Sequence, residues 1–230
     1  YQNNLVIDGF PDTLDYPVKL YAVSRGENSS TPVTISIKPL TPPVQEVFKH
    51  LTIQATFGGV RINFVNTAEA DIVISVLATD SINDLVPAET FYTKRKDGTF
   101  AARGFNTTKR KFAAFVRDRW NNHSDTLYAE LEPLFEQQLE KTKFKEVDLP
   151  TDTYSGHISS KISYLWDDKL GHDGTSIFHT KPGSGLPQWF TIDKGVTAVL
   201  SRFKLHHRDG TTDGPFTGGD PKIYEIWGSN

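Results

Sequence analysis

Cysteine and methionine are both absent from the 230 residues, no long apolar run occurs, and little net charge remains. Without cysteine there can be no disulfide, no thiolate nucleophile and no zinc centre built on sulfur, so stability must come from packing, and the redox compartment stays open. Leu, Ile and Val come in short alternating runs, and none nears the roughly 18 apolar residues of a bilayer-spanning helix. A formal charge of -3 and a pI near 6.2 give no broad basic field for gripping phosphates. Nucleic acid is therefore excluded as the main partner. The clusters Lys94-Arg95-Lys96 and Lys109-Arg110-Lys111 read as solvated faces.

Catalytic signatures are missing too. Gly183-Ser184-Gly185 is followed by neither a Lys-Ser/Thr pair nor a helical pattern, so it is no phosphate cradle. There is no Gly-x-Ser-x-Gly elbow and no His-Glu-x-x-His. No catalytic residue is assigned. The chain opens at Tyr1 in mid-pattern, and with methionine absent this raises the expectation of residues missing from the printed sequence.

What is present is 37% apolar and 12% aromatic residues, enough to build cores. Period-2 alternation dominates: Val18, Leu20 and Ala22; Val33, Ile35 and Ile37; Leu51, Ile53, Ala55 and Phe57; Val60, Ile62 and Phe64; Ile72, Ile74 and Val76. Each run reads as a half-buried strand, and the turn signals between them predict all-β sandwiches. A short helix is expected over Glu132–Lys143, where Pro133 suits a first turn and Leu134, Phe135, Gln138 and Leu139 fall at helical spacing.

An internal repeat organises the first part of the chain. Residues 21–40 align without a gap on residues 115–134, matching Arg25 to Arg119, Asn28 to Asn122, Ser30 to Ser124 and Pro39-Leu40 to Pro133-Leu134. Upstream, Gly9-Phe10 corresponds to Gly104-Phe105 with one residue of slippage. The sequons at Asn28 and Asn122 fall at equivalent turn positions, which turn chemistry explains without glycosylation; a third lies at Asn106. The run Tyr16 to Val23, followed by Arg25 to Ser30, resembles the last two strands of a fibronectin type III domain. On that resemblance residues 1–40 are the C-terminal half of one such domain, 43–135 a second, and 136–150 a linker.

After about residue 150 the composition shifts, with eleven of the seventeen Gly, three of the four Trp and five of the seven His in the last eighty residues. Residues 165–169, 176–180, 187–195 and 200–205, above all Pro187-Gln188-Trp189-Phe190-Thr191-Ile192-Asp193-Lys194-Gly195, resemble the front half of discoidin domains, the galactose-binding-like jelly rolls of factor V/VIII C-type repeats. Lys194 departs from the family's usual Leu. Residues 151–230 are thus expected to be an incomplete discoidin-type sandwich, with strands at 200–208 and 220–229. Trp166, Trp189 and Trp227 are expected in its core.

Sugars are bound by aromatic faces beside planar donors and acceptors. Alternation along 200–208 puts Phe203, Leu205 and His207 on one side and Lys204, His206 and Arg208 on the other. Arg208 stands where sugar-binding discoidin modules often carry a ligand-contacting Arg; a loop-anchoring ion pair is its plainer role. With His206, with Phe216 in the glycine-rich loop 209–219, and with Asp213 and Asp220 as hydroxyl acceptors, it makes up the candidate carbohydrate site. Adjacent His206 and His207 point to opposite faces and do not form a metal pair. No cofactor is required. The discoidin resemblance implies a structural calcium near the first loop, for which Asp167, Asp168, Asp173 and Thr175 offer oxygens; solvated acidic turns are the alternative.

The whole arrangement is similar to surface lipoproteins of glycan-foraging gut bacteria. That resemblance implies a non-catalytic, exported, outer-membrane or cell-surface protein that captures polysaccharide, held to the membrane only by a lipid anchor outside this chain. Protein partners in a surface uptake complex come with it. Two other roles are a structural or protein-docking subunit of such a complex, and an accessory region of a larger glycosidase.

Overall fold

A computed structural model of the chain describes residues 4–170, 177–207 and 220–229. The chain is all-β, and every pair of named strands is antiparallel. It divides into two compact units, Tyr1–Glu136 and Gln137–Asn230.

The first unit opens with a hairpin of β1 (Tyr16–Leu20) and β2 (Val33–Ile37), the two alternating runs read from the sequence. A helix follows, α1 (Pro43–Lys49). Then come β3 (Thr52–Thr56), β4 (Gly59–Val65), β5 (Ile72–Thr79), β6 (Leu85–Thr93), β7 (Asp97–Arg103), β8 (Arg110–Asp118) and β9 (Leu127–Leu131). These seven strands make a three-stranded sheet in the order β3-β4-β7 and a four-stranded sheet in the order β6-β5-β8-β9. Their inward residues, Val60, Ile62 and Phe64 on β4, Ile72, Ile74 and Val76 on β5, and Phe112, Ala114 and Val116 on β8, form one buried cluster. Each Val, Ile or Phe among them contributes roughly 1.5–3 kcal/mol on burial. Phe100 of β7 stacks on Phe64 at 5.3 Å and on Phe91 of β6 at 4.5 Å, so aromatic faces join the two sheets.

Helix α1 breaks the run of strands. Pro43 needs no N–H partner in a first turn, and Val44, Val47, Phe48 and Leu51 recur at helical spacing, with Val44, Val47 and Leu51 in the core. The helix expected over Glu132–Lys143 does not form. Instead the Leu134 N–H donates to Thr56 O at 3.0 Å and the Gly58 N–H to Leu134 O at 2.8 Å, which holds the segment extended beside β3. Pro133 is fully buried, and Glu136 pairs with Arg103 at 3.1 Å with both side chains largely shielded. These contacts outweigh a helix propensity worth only tenths of a kcal/mol per residue. Helical geometry is confined to a 3-10 turn at Lys141–Lys143.

The repeat is a repeated turn. Residues Val23 and Ser29 form an antiparallel bridge, as do Arg117 and His123, and Glu27 and Asn121 share a left-handed backbone with φ of 62° and 66°. The second copy receives the first. Asn122 Nδ2 donates to Gly9 O at 3.3 Å while also meeting the buried Asp118, and Arg119 approaches Asp8 at 3.9 Å. Gly9, at φ 89°, has the Trp120 ring 3.0 Å from where a Cβ would stand, so no larger residue fits there.

The second unit pairs β10 (Lys145–Val147), inside the segment expected to be a linker, with β11 (Thr191–Asp193). Residues 187–195 brace it. Trp189 O accepts the N–H groups of Thr153 and Tyr154 at 3.1 and 2.9 Å, and Gln188 Oε1 accepts that of Ser155 at 3.1 Å. The Gly195 N–H donates to Asp193 Oδ1 at 2.7 Å, and Gly195 takes a φ of 65°. The interior is built from Ile162 and a triangle of Tyr154, Phe178 and Phe190, whose ring centroids lie 5.2–6.0 Å apart. The three tryptophans are not this core. Trp227 is 79% exposed and Trp189 37%, while Trp166 is half-buried, edge-on to Phe144 at 5.8 Å. Smaller rings at 154, 178 and 190 fill the space that the tryptophans were expected to take. Nor are 200–207 and 220–229 β-strands. Alternation sets which way side chains point, but a strand also needs a regular hydrogen-bonded ladder.

Candidate glycan site

Segments 200–207 and 220–229 meet through side chains. The Phe203 and Tyr224 rings lie 6.4 Å apart, and His207 Nδ1 sits 3.1 Å from Asp220 Oδ2. His207 comes four residues after Phe203 and Asp220 four before Tyr224, so the two contacts run in opposite directions along the two segments.

The chemistry of this ribbon is mixed by design of the sequence pattern. Phe203 is 60% exposed and Tyr224 46%, which leaves ring surface open to solvent beside the two polar groups. His207 and Asp220 are more enclosed, with side chains 26% and 22% exposed. Burial holds the Tyr224 phenol above the ordinary tyrosine value, and the nearby Asp220 charge adds to the shift. The hydroxyl therefore stays a neutral donor and acceptor. Trp227, with its indole N–H on Glu225 at 3.2 Å, adds another exposed ring to the same segment.

The residues singled out from sequence fare unequally. Asp220 is brought into the cluster, but by His207 and not by His206, which is exposed. Arg208, Asp213 and Phe216 lie outside the described residues. Nothing in the sequence separates Phe203 and Tyr224 from core rings, and their exposure in the structure marks them out. Of the calcium candidates, Asp173 and Thr175 also lie outside the described residues. Asp167 Oδ1 accepts the Lys169 N–H at 3.0 Å, and Asp168 Oδ1 accepts from the Lys141 ammonium. Among the described residues no three His, Asp or Glu side chains gather as metal ligands.

Three family models match, each described as a domain of unknown function: DUF4959 over residues 1–39, DUF5126 over 40–142 and the model named DUF5000 over 166–230. No curated protein matches the chain. A SusE-like protein of known structure is 28% identical, with 69% of this chain and 57% of that one covered and a TM-score of 0.42. The chain thus spans little more than half the length of that structure.

Proposed function

We propose that the protein is a non-catalytic, cell-surface carbohydrate-binding protein in which the seven-stranded sandwich is a spacer and the second unit presents the glycan site. The observation that carries this reading is the ribbon of Phe203, Tyr224, His207 and Asp220, where open aromatic faces adjoin a paired imidazole and carboxylate. Sugar rings stack their C–H faces on such surfaces while planar polar groups take the hydroxyls. Weak single contacts suffice on a polysaccharide, since neighbouring repeats raise the effective concentration.

The finer assignments belong to the same proposal. Strand order β3-β4-β7 against β6-β5-β8-β9 supports a fibronectin type III-like sandwich at 43–135, with 1–40 as the end of a preceding one. The brace at 187–195 supports a discoidin-like module over 151–230 after a connector at 136–150. Export, a lipid anchor upstream and partners in an uptake complex rest on the sequence resemblance. A protein-docking role is favoured by a different observation: Ile223 at 81% and Trp227 at 79% exposure offer apolar surface to a protein partner.

Affinity gels containing single polysaccharides test the reading. The full chain should be retarded by at least one of them, and Phe203→Ala and Tyr224→Ala should each relieve the retardation while keeping the wild-type melting temperature. Retardation that both variants leave intact would move the site elsewhere, and none in any gel would favour the docking role.

A further inference from the structure

One end of the seven-stranded sandwich carries a cleft of about 410 Å³, within the roughly 300–1,000 Å³ of small-ligand pockets. Thr79, Ser81 and Asn83 line one wall, from the end of β5 and the turn after it, and Asn106, Thr108 and Arg110 the other, from the loop between β7 and β8 and the first residue of β8.

Both walls are fixed by the backbone around them. Asp80 Oδ1 accepts the N–H groups of Ile82 and Asp84 at 2.9 and 3.0 Å, which closes the first turn with Asn83 left-handed at φ 67°. Across the cleft the N–H groups of Gly104 and Phe105 both donate to Gly58 O at 3.0 Å. Asn106 Oδ1 then accepts from the Thr108 N–H at 3.3 Å and from Arg110 at 2.7 Å. The Arg110 guanidinium lies over the Phe105 ring at 5.2 Å, and that ring meets the buried Phe112 edge-on at 5.1 Å. Arg110 is thus a cation held at one orientation, and its Nε–H is shielded without an acceptor among the described residues. Two further charges line the cleft: Lys109, exposed and paired at the surface with Glu130 at 3.2 Å, and Asp80, whose Oδ1 serves its turn while its negative charge remains.

We propose that this cleft binds one sugar residue carrying a single anionic group, a uronate carboxylate or a sulfate ester. One fixed guanidinium matches one negative charge. The hydroxyls of Thr79, Ser81 and Thr108 and the amides of Asn83 and Asn106 supply donors and acceptors on both walls for the ring hydroxyls. A nucleotide or a free phosphate, carrying more negative charge, would call for more cation than Arg110 and the surface-paired Lys109 supply beside Asp80. This site lies within the sandwich, and it stands or falls independently of the ribbon at Phe203 and Tyr224.

Amide shifts of the isotope-labelled full chain, titrated with galacturonate, a sulfated galactose and plain galactose, test it. Residues 79–83 and 104–110 should shift with an anionic sugar and about tenfold more weakly with galactose, and the sugar that acts decides between carboxylate and sulfate. Arg110→Gln should weaken binding about tenfold. Because Arg110 also packs on Phe105, the exposed Ser81→Ala and Asn83→Gly variants are read as well, the glycine keeping the left-handed backbone at 83, each expected to cost about two- to five-fold in affinity with an unchanged melting temperature. Tyr224→Ala should leave all of these shifts intact. No shift in these residues with any of the three sugars, equal binding of plain galactose, or wild-type affinity in Arg110→Gln would overturn the proposal.

Discussion

Ser30 and Ser124 do the same work in two copies of one turn. Ser30 Oγ accepts the Ala22 N–H at 3.0 Å and donates to Thr31 O, and Ser124 Oγ accepts the Val116 N–H at 2.9 Å and donates to Asp125 O. In each copy the serine N–H also returns to the residue its hydroxyl serves, Ala22 or Val116. Ahead of the serine, Asn28 donates its N–H to Ser24 Oγ at 3.3 Å, and Asn122 donates its own to Asp118 Oδ1 at 2.9 Å.

Val116 is fully buried in the core, whereas Ala22 is exposed. Ser124→Ala should therefore strand an N–H that water reaches poorly and cost about 1–2 kcal/mol, against about 0.5 kcal/mol or less for Ser30→Ala, where water can replace the hydroxyl. Urea unfolding of the two variants checks the difference. Equal losses would mean that the two turns are equally solvated.

This repeat also marks how far the sequence could be read. Side-chain identities at 24–30 and 118–124 carry their own local bonding, so the turns were visible from residue types alone. The strands β3 to β5 were visible too, because alternation records burial on one face; β1 and β2 alternate as well, yet their Leu20, Val33 and Ile35 stay exposed. The state of 132–136 was not, because it depends on Thr56 and Arg103, which are distant in sequence. Likewise nothing local separates an exposed Phe203 or Trp227 from a buried one. His206 and His207 are adjacent in the sequence, and it is Asp220 across the ribbon that distinguishes them.

Gly195 tests the brace of the second unit. Its φ of 65° disfavours any side chain, and an added Cβ would lie 2.8 Å from Lys143 Cβ and 2.9 Å from Lys143 O. Gly195→Ala should destabilise the unit by about 2 kcal/mol or more, combining left-handed strain of about 1–2 kcal/mol with a clash against backbone. Gly183 is the control. At φ 78° it faces open space, so Gly183→Ala should show only the strain of about 1 kcal/mol. Thermal melts of the full chain, followed at the tryptophans of this unit, give the comparison.

Lys141 makes a statement about calcium. Its ammonium occupies Asp168 Oδ1, so a divalent ion would have to displace an existing partner. Adding millimolar calcium or chelating it should leave the melting temperature of the wild-type chain unchanged. A rise with calcium that Lys141→Ala enhances would show that the two cations compete for one carboxylate.

Tyr224 gives the site a signature at alkaline pH. Burial, followed by the Asp220 charge, raises its folded pKa above the ordinary tyrosine value near 10. The sign follows from which state holds the proton: on raising pH through the ordinary value, the unfolded chain ionises first while the folded phenol stays neutral. The stabilisation from the neutral phenol is thus complete below the ordinary value and is lost as pH climbs through the folded one. Ultraviolet titration should resolve two late-ionising tyrosines, Tyr16, whose phenol donates to Asp12 Oδ1, and Tyr224, and only the second should disappear in Tyr224→Phe. Asp220→Asn should move it only part of the way back, since burial is the larger cause. A glycan seated on the Tyr224 ring would shield the phenol further, so saturating polysaccharide should delay this ionisation in the wild type. A titration unchanged by a polysaccharide that retards the chain would mean that the sugar binds away from Tyr224.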